Sequence, residues 1–247
     1  MRGRREMSNP ILKKELRQPL LTAFVKIQNT EPRRAPDRRP KPGHVVCLGG
    51  DAVGMKGWTR RGFSIVSDIN SARRLRDDTA LAIGVVDVSD LSVSGARWWK
   101  KKMQKNPHFQ EEALQRLVDT EAELKSLGVP WIVMTAASPI VRKRFRTPDA
   151  VISPHEFGEY LDPDDFHPTL PDVVPARDAY TKKTFVYHGN HFLMPRRRPV
   201  APVFVSVRKK SGAVVRLSPL VAKRKHAKHR KLMPRGFLEA CAVVHSS

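Results

Sequence analysis

The apolar positions in the first half of the chain fall into short runs, each closed by polar or glycine-containing turns. His44-Val45-Val46-Cys47-Leu48 is one such run and ends in Gly49-Gly50, while Phe63-Ser64-Ile65-Val66-Ser67 ends at Asp68. Residues 80–86 and 129–134 form a third and a fourth. Apolar runs of this length between turn signals predict buried strands. Before the fourth run, Phe109, Ala113 and Leu117, with Leu114 and Val118, recur at three- and four-residue spacing, which predicts a helix with one buried face. Asn106 supplies its N-cap, Pro107 its first residue and Gly128 its stop. Strands alternating with helices predict an α/β, Rossmann-like sheet, with ligands at the C-terminal ends of its strands.

The pattern is different on either side of this stretch. In residues 1–43 an apolar stripe of Ile11, Leu12, Leu16, Leu20 and Phe24 is interrupted by Pro19, and residues 31–43 hold four prolines and little to bury. After residue 150 come a segment rich in Pro, Asp and His, then short strand-like runs at 184–187, 203–207 and 214–217. Pro234-Arg235-Gly236 leads into an amphipathic ending over 237–243. The expected organisation is a basic, Pro-rich arm over 1–43, an α/β core over 44–150, and an irregular β-rich C-terminal extension over 151–247 with a basic tail.

Charge adds a second layer to this map. The 247 residues carry 46 Lys and Arg against 24 Asp and Glu, a formal charge of +22. Residues 1–43 hold +8 of it and residues 44–195 only +1, whereas 196–236 contain 14 basic side chains and no acid. A nearly neutral body therefore has two cationic ends. Arg196, Arg197, Arg198, Arg208, Lys209, Lys210, Lys223, Arg224, Lys225, Lys228, Arg230 and Lys231 are the candidate contacts to a nucleic-acid backbone, DNA or RNA. His226 and His229 strengthen the last run when protonated. Trp98 and Trp99, followed by three lysines, fit either base stacking or core packing. No base-reading motif accompanies these charges, and phosphate contacts position a nucleic acid without identifying it.

Other classes are set aside by composition. Hydrophobic residues at 40% and charged residues at 28% are near globular averages and argue against a disordered or collagen-like chain. No run approaches the roughly 18 apolar residues of a membrane span, so no membrane partner is expected. Cys47 and Cys241 form neither a disulfide framework nor a zinc spacing, which points to a reducing intracellular compartment, cytoplasm or nucleoid. Arg2, Arg4 and Arg5 lack the apolar stretch of a secretory signal, and Glu6 and Glu15 interrupt what in an organellar leader is an acid-poor helix.

Gly49, Gly50 and Gly54 after the first strand, with Asp68 after the second, are the candidate site for an adenosine-containing cofactor. Glycines let backbone approach a ligand, and an acid about 20 residues on accepts hydrogen bonds from ribose hydroxyls. The same residues also suit a turn without a ligand and an Asp that caps the next helix. Asp87 and Asp90, even with Asp68, read as surface or capping residues rather than as a metal site.

Several later strings are similar to phage-type DNA cytosine methyltransferase-like proteins. They are residues 90–99 (DLSVSGARWW), 157–161 (FGEYL), His167-Pro168, 177–184 (RDAYTKKT), Gly189-Asn190, Phe192, Met194-Pro195 and 234–237 (PRGF), in order along residues 44–243. The resemblance implies an S-adenosylmethionine-dependent α/β domain that acts on DNA. It also implies a cysteine nucleophile just before residues 90–95, where this chain has Val88. Valine has no lone pair with which to attack cytosine. The family's Glu-Asn-Pro falls on Met134, Thr135 and Ala136, which leaves no carboxylate for acid–base work. Its glycine-rich turn is likewise altered, to residues 49–54 (GGDAVG). The expectation is a catalytically degenerate methyltransferase-like protein with no catalytic residue of its own. It binds nucleic acid through its basic ends, as part of a nucleoprotein or ribonucleoprotein assembly. The alternatives are an active methyltransferase with divergent motifs and a module that binds a related enzyme.

Overall fold

The computed structural model describes residues 43–50, 54–88, 104, 106, 108–162, 183–209, 211–217 and 234–246. Residues 1–42 of the predicted arm, the tryptophan pair, residues 178–182 of the DAYTKK string, Lys210 and the run from Lys223 to Lys231 lie outside them.

Strand β1 (His44–Leu48) leads to helix α1 (Lys56–Arg60), β2 (Ser64–Val66), α2 (Ile69–Arg74) and β3 (Thr79–Val86). After β3 come α3 (Phe109–Ser126), β4 (Trp131–Ala136), α4 (Pro139–Arg144) and β5 (Ala150–Ile152). A 3-10 segment (Pro154–Tyr160) then precedes β6 (Thr184–Gly189), β7 (Val205–Arg208), β8 (Val214–Leu217) and α5 (Arg235–His245). Six strands form one mixed sheet in the order β2-β1-β3-β4-β6-β5. The pairs among β1 to β4 are parallel, while β6 runs antiparallel to both β4 and β5.

The α/β expectation is met by this mixed sheet, and the reversed β6 is its main departure from a purely parallel one. The boundary expected at residue 150 falls inside β5, and strands from both sides of it share the sheet. β6 is admitted beside β4 partly because Gly189 lies opposite Trp131, and a Cβ there would sit 2.6 Å from the indole ring.

β3 reads TALAIGVV because it is covered on both faces. On one face, Val45, Cys47, Leu81, Ile83, Ile132 and Met134 pack with Trp58 of α1 and with Phe237, Leu238 and Cys241 of α5. On the other, Val46, Ala82, Val86 and Val133 pack with Ala72 of α2, Leu117 and Leu124 of α3, and Val141 of α4. Gly84 is small because α3 crosses it, with Thr120 and Leu124 where a side chain would stand.

Helix α3 starts two residues later than its capping sequence suggests. The Asn106 side chain accepts the His108 N–H at 2.9 Å and donates to Glu112 at 2.8 Å, so it organises the turn before the helix. The end agrees with expectation, since Gly128 takes φ +70°, which a glycine adopts without strain. Val118, expected on the buried face, is 43% exposed. The face centres on Ala113, Leu117 and Leu124, and each helical step turns about 100°. Buried Glu121 takes part instead, 2.9 Å from Arg146 and 3.1 Å from Lys125.

Helix α5 is more enclosed than an amphipathic ending requires, with residues 235–242 all buried. Its Glu239 is 3% exposed and binds Arg60 at 3.0 Å, with Arg61 at 3.7 Å. Gly57 of α1 makes room for that carboxylate, which occupies the space of a Cβ.

Candidate functional site

The chain order sets where a ligand can enter. From β1 it moves outward to β2, then returns to place β3 on the opposite side of β1. Connections diverge between β1 and β3, and a crevice opens at such a switch point beyond the carboxyl ends of the strands. An open cleft of about 470 Å³ is found there. Leu48 and Gly49 line it from β1, Val85, Val86 and Asp87 from β3, and Arg116, Asp119, Thr120 and Glu123 from α3. Three carboxylates and one guanidinium thus border the cleft, together with Leu48, Gly49, Val85, Val86 and Thr120.

Of the four candidate cofactor residues, only Gly49 lines this cleft. It has φ +70°, and any Cβ on it would collide with the carbonyl oxygen of Val85. Glycine is required by both conformation and space, and the backbone lies open to the cleft. Gly50 is exposed beside it, and Gly54 is buried at the start of the turn into α1. The residues between these two glycines, 51–53, lie outside the described residues.

Asp68 has a different local task. It is the N-cap of α2, and its Oδ1 accepts the Ser71 N–H at 2.8 Å. That backbone hydrogen bond, helped by the Ser71 side chain and by Arg74, holds its carboxyl below the ordinary value. One oxygen is thereby committed to the helix. Asp68→Ala is expected to lower the melting temperature by a few degrees, while Asp68→Asn, which still caps, leaves it nearly unchanged. Circular dichroism melts of the two variants check this.

The positions to which the resemblance assigns methyl-transfer residues are not among those that line the crevice. Val88 is fully buried in the core on the α3 face, next to exposed Asp87. Met134 is 1% exposed and Thr135 3% exposed, and the Thr135 Oγ1 has no hydrogen-bond partner among the described residues. No family model matches this chain, and neither a curated protein nor a solved structure matches it. Among the described residues, no group of three or more His, Cys, Asp or Glu is arranged to hold a metal ion, and no helix is long and apolar enough to cross a membrane.

The structure also locates part of the cationic surface. Arg196, Arg197 and Arg198 are exposed and run beside the 3-10 segment, where the Arg198 N–H donates to the Glu156 carbonyl at 2.9 Å. Arg197 lies 3.4 Å from the Glu156 carboxylate, and the Arg198 guanidinium stands 5.2 Å from the centre of the Tyr160 ring. Arg208 and Lys209 are exposed at the end of β7. Arg208 belongs to a separate two-stranded sheet of β7 and β8, with Lys209 in the turn that follows, apart from the glycine turn in the hydrogen-bonding pattern.

Sequence reasoning missed Arg116, Asp119, Thr120 and Glu123. Helical periodicity marks the buried face of α3: Thr120 lies on it, between Leu117 and Leu124, whereas Arg116, Asp119 and Glu123 lie off it, and their approach to Gly49 follows from where the helix crosses the sheet. Glu239 did leave a signal, because it is the one acid within the apolar stretch 237–243.

Proposed function

We propose that the chain is a methyltransferase-like protein without methyl-transfer chemistry that binds nucleic acid through its cationic segments, as a component of a nucleoprotein assembly. The observation that carries this reading is the charge distribution: 14 basic residues and no acid over 196–236, beside a body of nearly zero net charge. Exposed Arg196, Arg197, Arg198, Arg208 and Lys209 are available to phosphates without disturbing the core. The loss of chemistry is supported by Val88 and Met134, whose apolar side chains are buried at positions that the resemblance assigns to a nucleophile and an acid.

The second reading, a working S-adenosylmethionine-dependent enzyme, is favoured by the crevice. Asp87, Asp119 and Glu123 suit a ligand that carries positive charge and hydroxyls, and Gly49 permits close backbone approach. Asp68 is not among its lining residues, so the ribose contact expected of it is not supported. The mixed sheet with its reversed β6 is compatible with either reading. Calorimetry with S-adenosylmethionine, followed by methyl transfer to unmethylated DNA, separates them. The expected result is no methyl transfer above background. Covalent capture of the protein on a 5-fluorocytosine duplex would overturn the first reading, since it demands a nucleophile at the target base.

A further inference from the structure

The ribbon of β7 and β8 is unusual in standing apart from the main sheet. Two-stranded sheets are marginal in water, because they have little surface to bury. This one exposes most of what it has: Ser206, Arg208, Arg216 and Val214 are exposed, and Val214 is 61% accessible.

Register sorts its side chains into two faces. Ser206 is opposite Arg216, and Arg208 is opposite Val214, so these four share one face. Val205, Val207 and Val215 share the other, where Val207 and Val215 are half-buried. The turn between the strands is basic as well: the Lys209 N–H donates to Ala213 at 2.8 Å and Gly212 closes it at φ +84°. Residues 205–217 hold four basic side chains and no acid. The Arg216 guanidinium is supported by Phe204, 5.3 Å from its ring centre.

We infer that the β7–β8 ribbon enters the major groove of B-form DNA with its Ser206–Arg208–Arg216 face toward the base edges. This rests on the nucleic-acid reading above and names the element and the form of nucleic acid. Three features favour that occupant. The major groove is about 12 Å wide and admits a two-stranded ribbon, whose strands are about 4.8 Å apart. Arginine matches the guanine O6 and N7 pair, serine suits either kind of base edge, and Val214 offers an apolar contact to a thymine methyl. The major groove of an RNA duplex is too deep and narrow for side chains to read. The DNA in turn supplies the surface that a free ribbon lacks.

The test uses the full chain, a short DNA duplex containing guanine and adenine, and dimethyl sulfate, which methylates guanine N7 in the major groove and adenine N3 in the minor groove. Saturating protein is expected to protect N7 and leave N3 reactive. The double variant R208Q/R216Q is expected to lose that protection and to bind at least about thirtyfold more weakly by fluorescence anisotropy, given the usual contribution of each of two arginines at a base edge. Both arginines are exposed, so an unchanged melting temperature accompanies the loss. If the protein binds DNA while N7 stays reactive, or if N3 is protected instead, the ribbon assignment is wrong and the nucleic-acid reading stands. An RNA duplex bound equally tightly, with equal dependence on Arg208 and Arg216, also overturns the assignment. Absence of any binding at low salt removes both.

Discussion

Between 50 and 200 mM salt, the affinity of this protein for a DNA duplex is expected to fall by about a thousandfold or more. The magnitude follows from counterion release: each phosphate neutralised contributes a slope of about −0.9 in log affinity against log salt, and six to ten such phosphates give losses of roughly 10³ to 10⁵. Residues 196–236 supply 14 basic side chains, so engaging half of them reaches that range. Anisotropy titrations at several salt concentrations measure the slope directly. Replacing Lys223, Arg224, Lys225, Lys228, Arg230 and Lys231 with glutamine is expected to flatten it, by about 0.9 for each phosphate that is no longer neutralised. An affinity that does not respond to salt would show that these charges solvate a tail and do not hold a polyanion.

The second large effect concerns stability. Phe157→Ala is expected to cost about 3–5 kcal/mol, as large-to-small changes at buried aromatic positions do. The residue is fully buried, and its ring lies 5.1 Å from that of Phe237 and 6.5 Å from that of Tyr160. Repacking cannot readily fill the hole, because α5 is already pressed against this segment. A Cβ on Gly236 would collide with the Phe157 carbonyl oxygen, so the two backbones approach as closely as glycine allows. Against a typical total of about 5–15 kcal/mol, the loss is a large fraction of the fold's stability. Urea denaturation should show a lower midpoint with an unchanged slope. A cost below about 1 kcal/mol, in place of the usual several for such a cavity, would mean that α5 and the 3-10 segment do not share one core with the sheet.

That shared core was only partly legible in the sequence. The apolar runs located β1 to β4 to within two residues, since a strand buried on both faces must be apolar at successive positions. The run at 184–187 likewise announced β6. Its place between β4 and β5 was not announced, because nothing local to a strand states its neighbours or its direction. The small residue at Gly189, facing Trp131, is intelligible only once the pairing is known.

The candidate site divides in the same way. Gly49 was legible as a residue needed for a tight turn, and its collision with Val85 supplies the reason. Asp68 admitted two roles in the sequence. The 2.8 Å bond to Ser71 identifies the capping role, and the crevice forms without Asp68 among its lining residues. The carboxylates of Asp119 and Glu123 approach the crevice from a helix that begins more than 20 residues after Asp87.

By itself, the sequence determined the class of the fold, most of the segments that become strands and the placement of charge outside a neutral body. These are local properties, set by side-chain chemistry and short-range periodicity. Tertiary structure alone decided that β6 is reversed within the sheet, that Asp87 and α3 converge on one crevice, and that Ser206, Arg208 and Arg216 share a face. Each of these depends on pairing and crossing between distant segments, which are selected by burial of the whole chain.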